Sequence, residues 1–111
     1  MDSRTKRKFE IRARIMKALA HPTRLFIVDE LSRKARCVNE LAEMVGADMS
    51  TVSKHLSVLK NSGIVQYQKD GLNVYYSLRS PCVLNFFKCI ERVIETNVKE
   101  NRSCLSNVLE K

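Results

Sequence analysis

The sequence predicts a mainly α-helical fold with one β-hairpin, an α+β chain whose elements run α-α-α-α-β-β-α. Apolar residues recur at helical spacing through the first half of the chain and again after residue 82. Between these regions, apolar and polar residues alternate around Asp70–Gly71, a dipeptide typical of hairpin turns. Gly46 separates two helical segments and indicates a tight turn between them.

The size and composition fit one small globular domain. The chain has 111 residues, of which 44% are apolar and 29% charged, and only three are glycine and two proline. It contains no apolar run of membrane-spanning length, and its first ten residues lack the apolar core of a secretory signal. We therefore expect a cytoplasmic protein with no membrane partner. Residues 1–97 would form the domain and 98–111 a C-terminal tail, either helical or flexible.

Two amphipathic helices are predicted in the first third of the chain. Residues 5–19 form the first helix, and Pro22 begins the second because a helix tolerates a missing N–H in its first turn. His21 is expected to cap or pack at the corner between them. The first helix has a broad apolar stripe, formed by Phe9, Ile11, Ala13, Ile15, Met16, Ala18 and Leu19.

A short helix and a longer one are predicted on either side of the Gly46 turn. The short helix covers about Val38–Val45, and Gly46 ends it. Asp48 or Ser50 can cap the longer helix, about Met49–Asn61, by accepting an unpaired backbone N–H. Its predicted core residues are Val52, Leu56 and Leu59.

A hairpin is predicted next, with Asp70–Gly71 as its two-residue loop. That loop places Val65, Tyr67, Val74 and Tyr76 on one apolar face, which favours the register because a slip of one residue would separate them. The facing pairs would be Lys69–Leu72, Tyr67–Val74 and Val65–Tyr76.

A last helix is predicted from about Cys82 to Asn97, after Pro81 ends the hairpin. Its apolar side, like that of the first helix, is broader than a core of this size needs, and large exposed apolar patches usually mark interfaces. We therefore expect a homodimer that forms through the first and last helices. The apolar residues of the last helix are Phe86, Phe87, Cys89, Ile90, Val93 and Ile94.

A short helix, a glycine-containing turn and a helix rich in small polar and basic residues form a helix-turn-helix pattern. The hairpin directly behind it fits a wing that lies along the DNA backbone, so the whole predicts a winged helix-turn-helix. The second helix of such a pair can enter the major groove. The N-terminus of that helix, at Ser50 and Thr51, also favours a phosphate. The candidate DNA-binding residues are Ser50, Thr51, Ser53, Lys54, His55, Lys60, Lys69 and Asn73.

The charge distribution also favours a nucleic-acid partner. The formal net charge is +8, and eight lysines and arginines precede residue 25 against two carboxylates. An enzyme is not expected, because Ser50, Ser53 and His55 share one short helix and cannot converge as nucleophile, base and orienting group. The sequence has no glycine-rich phosphate loop, so we predict no small-molecule substrate. A winged helix used for protein contacts is an alternative that the polar recognition helix disfavours.

Three segments of the chain resemble the ArsR/SmtB family of winged helix-turn-helix repressors. They are A-L-A-H-P-T-R-L-F-I-V-D-E-L, C-V-N-E-L-A-E-M-V-G and S-T-V-S-K-H-L-S-V-L-K-N-S-G-I-V, in this order and followed by the hairpin. The resemblance covers about residues 10–80 closely, and residues 82–97 in placement. It implies a homodimer that reads a palindromic operator in double-stranded DNA with Met49–Asn61 and is released by an inducer.

The resemblance also directs attention to the cysteines. Metal-sensing members often carry C-V-C at the start of the third helix, whereas this chain has Cys37 followed by Asn39, a poor ligand for a soft ion. Cys82 and Cys89 would lie about 10.5 Å apart along a straight helix, too far for one ion with bonds of about 2.3 Å. A thiolate site would therefore need Cys37 and a C-terminal cysteine, with Cys104 or the partner subunit as sources.

No cofactor is required by this interpretation. The expected inducer is arsenite, As(III), or another soft metal ion, with Cys37, Cys82, Cys89 and Cys104 as candidate ligands that do not all share one site. Two alternatives stay open. The protein could be a thiol-redox sensor in which two cysteines form a disulfide or polysulfide bridge, or a repressor whose effector does not act on cysteine. Each thiol could equally be a small buried side chain.

Overall fold

The computed structural model describes residues 1–100, and the part of the predicted tail beyond them, with Cys104, lies outside the described residues. The predicted order of five helices and two hairpin strands is confirmed, with one short strand added. The described chain divides into two compact units, Met1–Pro81 and the segment that begins at Cys82. The elements are α1 (Ser3–Leu19), α2 (Pro22–Leu31), β1 (Arg36–Cys37), α3 (Val38–Val45), α4 (Met49–Asn61), β2 (Val65–Asp70), β3 (Asn73–Leu78) and α5 (Val83–Glu100).

Helix ends follow the polar residues that flank them. His21 caps α2, as predicted, because its Nδ1 accepts a hydrogen bond of 3.1 Å from the Thr23 N–H. Of the two predicted capping residues of α4, Asp48 and Ser50, it is Asp48 that caps the helix: its Oδ1 accepts a hydrogen bond of 2.7 Å from the Thr51 N–H. Gly46 ends α3 with a φ of 77°, a left-handed value that glycine adopts without the steric cost of a Cβ. Gly46 and Asp48 thus bound the tight turn between α3 and α4.

The core of the Met1–Pro81 unit lies between α2, α3, α4 and the start of β2. The predicted inward face of α4 is confirmed, since Val52, Leu56 and Leu59 are each 0% exposed. Polar and charged side chains are absent from the buried set within the described residues. The packing of α4 against the core therefore rests on apolar contacts. The largest fully buried side chains are Ile27, Val28, Leu41, Val52, Leu56, Leu59 and Val65.

The predicted hairpin register was wrong by two residues. Asp70 pairs with Asn73, so Gly71 and Leu72 form the loop instead of Asp70 and Gly71. Gly71 has a φ of 65° and stands first in the loop, which fits a type II′ turn; a loop of Asp70–Gly71 in the I′ form would need positive φ at Asp70 as well. The predicted apolar face survives, because a shift of two residues preserves which side each residue faces. The observed pairs are Val65–Leu78, Gln66–Ser77, Tyr67–Tyr76, Gln68–Tyr75, Lys69–Val74 and Asp70–Asn73.

The sheet has a third strand that the sequence did not indicate. β1 pairs antiparallel with β3, placing Arg36 opposite Tyr76 and Cys37 opposite Tyr75, and the strand order is β1-β3-β2. Two residues are too short to show a strand pattern, so only tertiary pairing reveals β1. The strand fixes the start of α3 against the base of the wing.

α5 is the only helix of the second unit within the described residues, and it begins one residue after the predicted Cys82. It continues to Glu100, three residues past the predicted end and into the predicted tail. None of its residues is buried in the single chain. No helix of the described chain is both long and apolar enough to span a membrane. The exposed large apolar residues of α5 are Phe86, Ile90, Val93, Ile94 and Val98.

Candidate nucleic-acid interface

The outer face of α4 carries the polar side chains predicted to contact DNA. Ser50, Thr51, Ser53, Lys54 and Lys60 are exposed, on the sides of the helix away from its buried apolar stripe. Because α4 is anchored through that stripe, its polar face is presented as a rigid surface. Such a helix fits the width of the major groove.

The N-terminus of α4 is already occupied by a carboxylate. Asp48 accepts hydrogen bonds from the Thr51 N–H at 2.7 Å and from the Ser50 hydroxyl at 2.9 Å. Hydrogen bonds from Thr51 and then Ser50 hold the pKa of Asp48 below its usual value, so the carboxylate stays ionised. Asp48 therefore caps this helix end through one backbone N–H, while Ser50 and Thr51 are exposed residues. The expectation that this helix end favours a phosphate stays a prediction.

His55 lies half-buried on the side of α4 that faces α2. Its Nδ1 accepts a hydrogen bond of 3.1 Å from Arg24 Nε, and its ring lies 4.5 Å from the ring of His21, measured between centroids. Burial, followed by His21 and Arg24, lowers the pKa of His55. One of its two ring nitrogens is thus committed to a partner within the protein.

Lys60 lies at the other side of α4, against the wing. Its ammonium group is 4.3 Å from the centre of the Tyr67 ring on β2, at a cation–π distance. This contact directs the charge of Lys60 toward the hairpin and joins the end of α4 to the wing.

The wing extends away from the core with a polar edge and an apolar tip. Lys69 and Asn73, both predicted DNA contacts, are exposed on β2 and at the start of β3. Leu72 occupies the loop and is fully exposed, at 103%. The wing therefore places one lysine and one amide beside the protein surface that α4 presents.

The cysteine of the α3 start is a capping residue with one close partner. Cys37 is half-buried, its backbone N–H donates to Glu40 Oε1 at 3.2 Å, and its thiol lies 3.3 Å from the same oxygen. Arg36 Nη1 lies 3.0 Å from the other Glu40 oxygen. The Arg36 hydrogen bond, then those from Cys37, lower the pKa of Glu40 to about 2.

Cys37 is the only cysteine among the candidate metal ligands of the Met1–Pro81 unit. Cys82 and Cys89 are exposed and belong to the second unit, and Cys104 lies outside the described residues. Within residues 1–100, no three side chains among His, Cys, Asp and Glu form a potential metal-ion group. The described part of the chain therefore supplies one half-buried thiol at the start of α3 and two exposed thiols in the second unit.

The sequence of this chain is similar to those of known bacterial regulators. The family described as "Bacterial regulatory protein, arsR family" matches residues 21–67, which span α2 to the first half of β2. The nodulation protein NolR of Rhizobium meliloti is 36% identical over 76% of this chain and 69% of its own length. The chain belongs to the ArsR family. This confirms the family and the winged helix-turn-helix fold that the sequence predicted.

Two further proteins extend the comparison for this ArsR-family chain. The transcriptional repressor PagR of Bacillus anthracis is 34% identical over 73% of this chain and 82% of PagR. Mb0332 of Mycobacterium bovis, a possible ArsR-family regulator solved as a homodimeric winged helix-turn-helix DNA-binding domain, has a TM-score of 0.77. It shares 29% identity, over 90% of this chain and 93% of that one. The chain is a DNA-binding transcriptional repressor of the ArsR family, and its function is non-enzymatic, as predicted.

Several residues of this surface were missed by sequence reasoning because their partners are distant in the chain. Arg24 was counted only as part of the basic N-terminal region, yet it contacts His55, 31 residues away. Tyr67 was assigned to the apolar face of the wing, without its contact to Lys60. The sequence reasoning did not include Glu40. The spacing Cys37-x-x-Glu40 is that of a helix capping box and could have indicated this contact.

Proposed function

We propose that the chain binds a palindromic operator as a homodimer, with α4 in the major groove and the wing along the backbone. The observation that carries this proposal is the exposed polar face of α4, fixed from behind by the fully buried Val52, Leu56 and Leu59. A helix held in this way can contact base edges with its outer side chains while its inner side chains stay packed in the core. Two such helices in a two-fold dimer match two half-sites.

The proposed DNA contacts divide into two groups by their surroundings. Ser50, Thr51, Ser53 and Lys54 reach base edges and phosphates, since they are exposed on the outer side of α4. Lys69 and Asn73 of the wing contact the backbone. His55 and Lys60 keep their place in the proposal but act from within, because each already has a protein partner that fixes its orientation.

Dimerisation is supported by apolar side chains that the single chain leaves exposed on α1 and on α5. Phe9 is 50% exposed and Met16 54% on α1, and Val93 is 58% exposed and Ile94 49% on α5. Exposed apolar faces of this extent are typical of surfaces that a partner covers. A second copy is the partner that a two-fold operator requires.

The effector is proposed to act on Cys37, with arsenite or another soft metal ion as the first candidate. Soft ions prefer thiolate ligands, and Cys37 is the one cysteine of the Met1–Pro81 unit. One thiolate does not fit such an ion, and Asn39 does not complete the set. Further thiolates must come from Cys82, Cys89, Cys104 or the partner subunit, so metal stoichiometry is the sharpest test of this candidate.

Thiol oxidation is the second candidate. Cys82 and Cys89 are exposed, and exposed thiols react more readily with oxidants. A repressor that does not sense through cysteine is the third outcome that the same experiment can give.

The experiment begins with duplexes selected from a random-sequence pool by the reduced protein. Binding to a selected duplex is then measured while arsenite, zinc and a persulfide donor are titrated separately, for the parent and for Cys37→Ser. Cys89→Ser is measured in the same way to test whether Cys89 takes part in the response. The favoured result is release by arsenite or zinc that Cys37→Ser abolishes. Release by the persulfide donor alone supports the redox candidate, and equal behaviour of Cys37→Ser and the parent overturns any role of Cys37.

A further inference from the structure

We propose that Arg24 is a positioning residue for the recognition helix, and that its hydrogen bond to His55 makes this positioning sensitive to protonation, so that acid weakens operator binding. This inference rests on the proposed operator binding and concerns residues that lie behind the DNA-facing surface. All of them belong to the Met1–Pro81 unit.

Arg24 connects three helices through one guanidinium group. Its Nε donates to Nδ1 of His55 on α4 at 3.1 Å, and its Nη1 donates to the carbonyl oxygen of Ala18 near the end of α1 at 3.2 Å. Arg24 itself lies in the first turn of α2 and is half-buried. The guanidinium is planar with fixed donor directions, so these two bonds constrain where α4 lies relative to α1 and α2.

Both imidazoles use Nδ1 as a hydrogen-bond acceptor. His55 accepts from Arg24, and His21 accepts from the Thr23 N–H at 3.1 Å as the N-cap of α2. An imidazole nitrogen accepts only when it carries no proton, so each neutral ring holds its proton on Nε2. Protonation places a second proton on Nδ1. At His55 it therefore replaces the Arg24–His55 bond with two facing donors.

The charges around His55 oppose its protonation. Its ring lies 4.5 Å from that of His21, and burial, His21 and Arg24 each lower its pKa. From α1, Arg14 and Lys17 line the groove that Arg24 shares with the far side of α4, while Lys54 is the neighbour of His55 in the chain. α3 and β2 also pack against α4, but within the described residues no charged group of either acts on the His55 pKa.

The direction in which DNA affinity changes with pH distinguishes loss of the Arg24–His55 bond from a simple gain of positive charge. A lowered pKa means that the folded arrangement favours neutral His55, so the arrangement is fully favoured above the ordinary histidine pKa and loses that advantage as the pH falls. Protonated histidines add positive charge, and by charge alone they would strengthen binding to DNA as the pH falls. Loss of the Arg24–His55 bond predicts the opposite sign.

The main experiment measures affinity for a duplex selected from a random-sequence pool at pH 7.5, using the full chain at pH 7.5 and 5.5 and constant salt. We expect the parent to bind about tenfold more weakly at pH 5.5, on the scale of one lost charge-assisted hydrogen bond per protomer. The double variant His21→Asn/His55→Asn keeps an oxygen acceptor at each position, and Asn is a good N-cap, but neither residue takes up a proton. Its affinity should not fall between the two pH values. A parent whose affinity stays level or rises in acid overturns the inference, as does a double variant that falls like the parent.

A second pair of variants tests Arg24 without changing the net charge. Arg24→Lys keeps the cation but loses the fork that reaches both His55 and Ala18, whereas Arg33→Lys is the matched control, since Arg33 contacts Asp29 and Glu30 on the same helix. At pH 7.5 we expect Arg24→Lys to bind about tenfold more weakly and to lose most of the pH dependence, while Arg33→Lys behaves as the parent. Equal pH profiles for Arg24→Lys and the parent overturn the role of Arg24. A parent that selects no duplex at either pH instead overturns the proposed operator binding itself.

Discussion

The ammonium group of Lys60, near the end of the recognition helix, lies 4.3 Å from the centre of the Tyr67 ring on the wing. Tyr67 in turn contacts Tyr76 on the next strand, with ring centroids 5.8 Å apart. Burial, followed by Tyr67, raises the pKa of Tyr76, so the Tyr76 phenol stays neutral at physiological pH. The wing is thus held against α4 by a charge on one element and aromatic rings on the other.

The first prediction is that Lys60 and Tyr67 are energetically coupled. In a double-mutant cycle with Lys60→Met and Tyr67→Leu, the coupling in the free energy of unfolding should be about 0.5–1 kcal/mol, as measured for cation–π pairs at partly exposed positions. Urea denaturation supplies the four values. Lys34→Met replaces Lys60→Met in the control cycle, which should be additive. Additivity in the Lys60 cycle as well would mean that the contact does not stabilise the wing.

How much of the fold could be predicted from the sequence depends on the range of the interactions involved. The buried face of α4 follows from spacing within one helix, so Val52, Leu56 and Leu59 were predicted correctly. The hairpin face was also predicted, but its register was not, because a shift of two residues gives the same face and Gly71 takes a positive φ in either loop. The two loops differ in the φ of Asp70, which is not positive in the structure. Strand β1 has two residues and depends wholly on pairing with β3.

The candidate site shows the same division. The exposure of Ser50, Ser53 and Lys54 follows from helix periodicity and was predictable. The partners of His55 and Lys60 were not, because they come from other elements, and a side chain that is basic or polar on a helix wheel can point at protein as well as at DNA. The sequence identifies the surface, and tertiary packing decides which of its residues face outward.

The second prediction concerns acid stability at the start of α3. Hydrogen bonds from Arg36 and Cys37 lower the Glu40 pKa from 4.5 to about 2, so the folded state favours the carboxylate. Glu40 therefore stabilises the fold above pH 4.5, and this contribution is lost as the pH falls from 4.5 toward 2. Glu40→Gln should lower the free energy of unfolding most at pH 7 and least at pH 3, measured by urea denaturation. Glu43→Gln on the same helix is the control, and a penalty for Glu40→Gln that does not change with pH would contradict the prediction.

The third prediction tests the support behind the recognition helix. Leu56 is 0% exposed, so Leu56→Ala should lower the free energy of unfolding by about 2–5 kcal/mol through lost burial and the cavity left behind. Val58→Ala, a half-buried position on the same helix, should cost clearly less. Urea denaturation at neutral pH measures both. A loss below about 1 kcal/mol at Leu56 would show that the core relaxes around the cavity and that α4 is less firmly anchored than its burial indicates.

The fourth prediction is that the exposed apolar side of α5 is an interface between two copies. Ile94 is 49% exposed in the single chain, and a charge there would be buried without a partner in a dimer. Ile94→Glu should therefore give particles close to the 12.8 kDa of one chain in sedimentation or light scattering, whereas the parent gives twice that mass. Glu91→Gln, a polar change on the same helix, should leave the parent mass unchanged. A monomeric parent at micromolar concentration would remove the basis for two-fold operator recognition.

The last prediction separates phosphate contacts from base contacts on α4. Lys54 is exposed on the outer side of the helix, where it interacts electrostatically with Asp48, and its ammonium group can reach a DNA phosphate. Each phosphate contact releases counterions and contributes about 0.9 to the slope of log affinity against log salt. Lys54→Gln should therefore weaken binding to all selected duplexes by similar factors and lower that slope by about one per protomer. Lys34→Gln makes the same charge change outside the recognition helix and wing, and its slope should match the parent. If Lys54→Gln changes which duplexes are preferred while the slope stays the same, Lys54 reads a base edge instead of a phosphate.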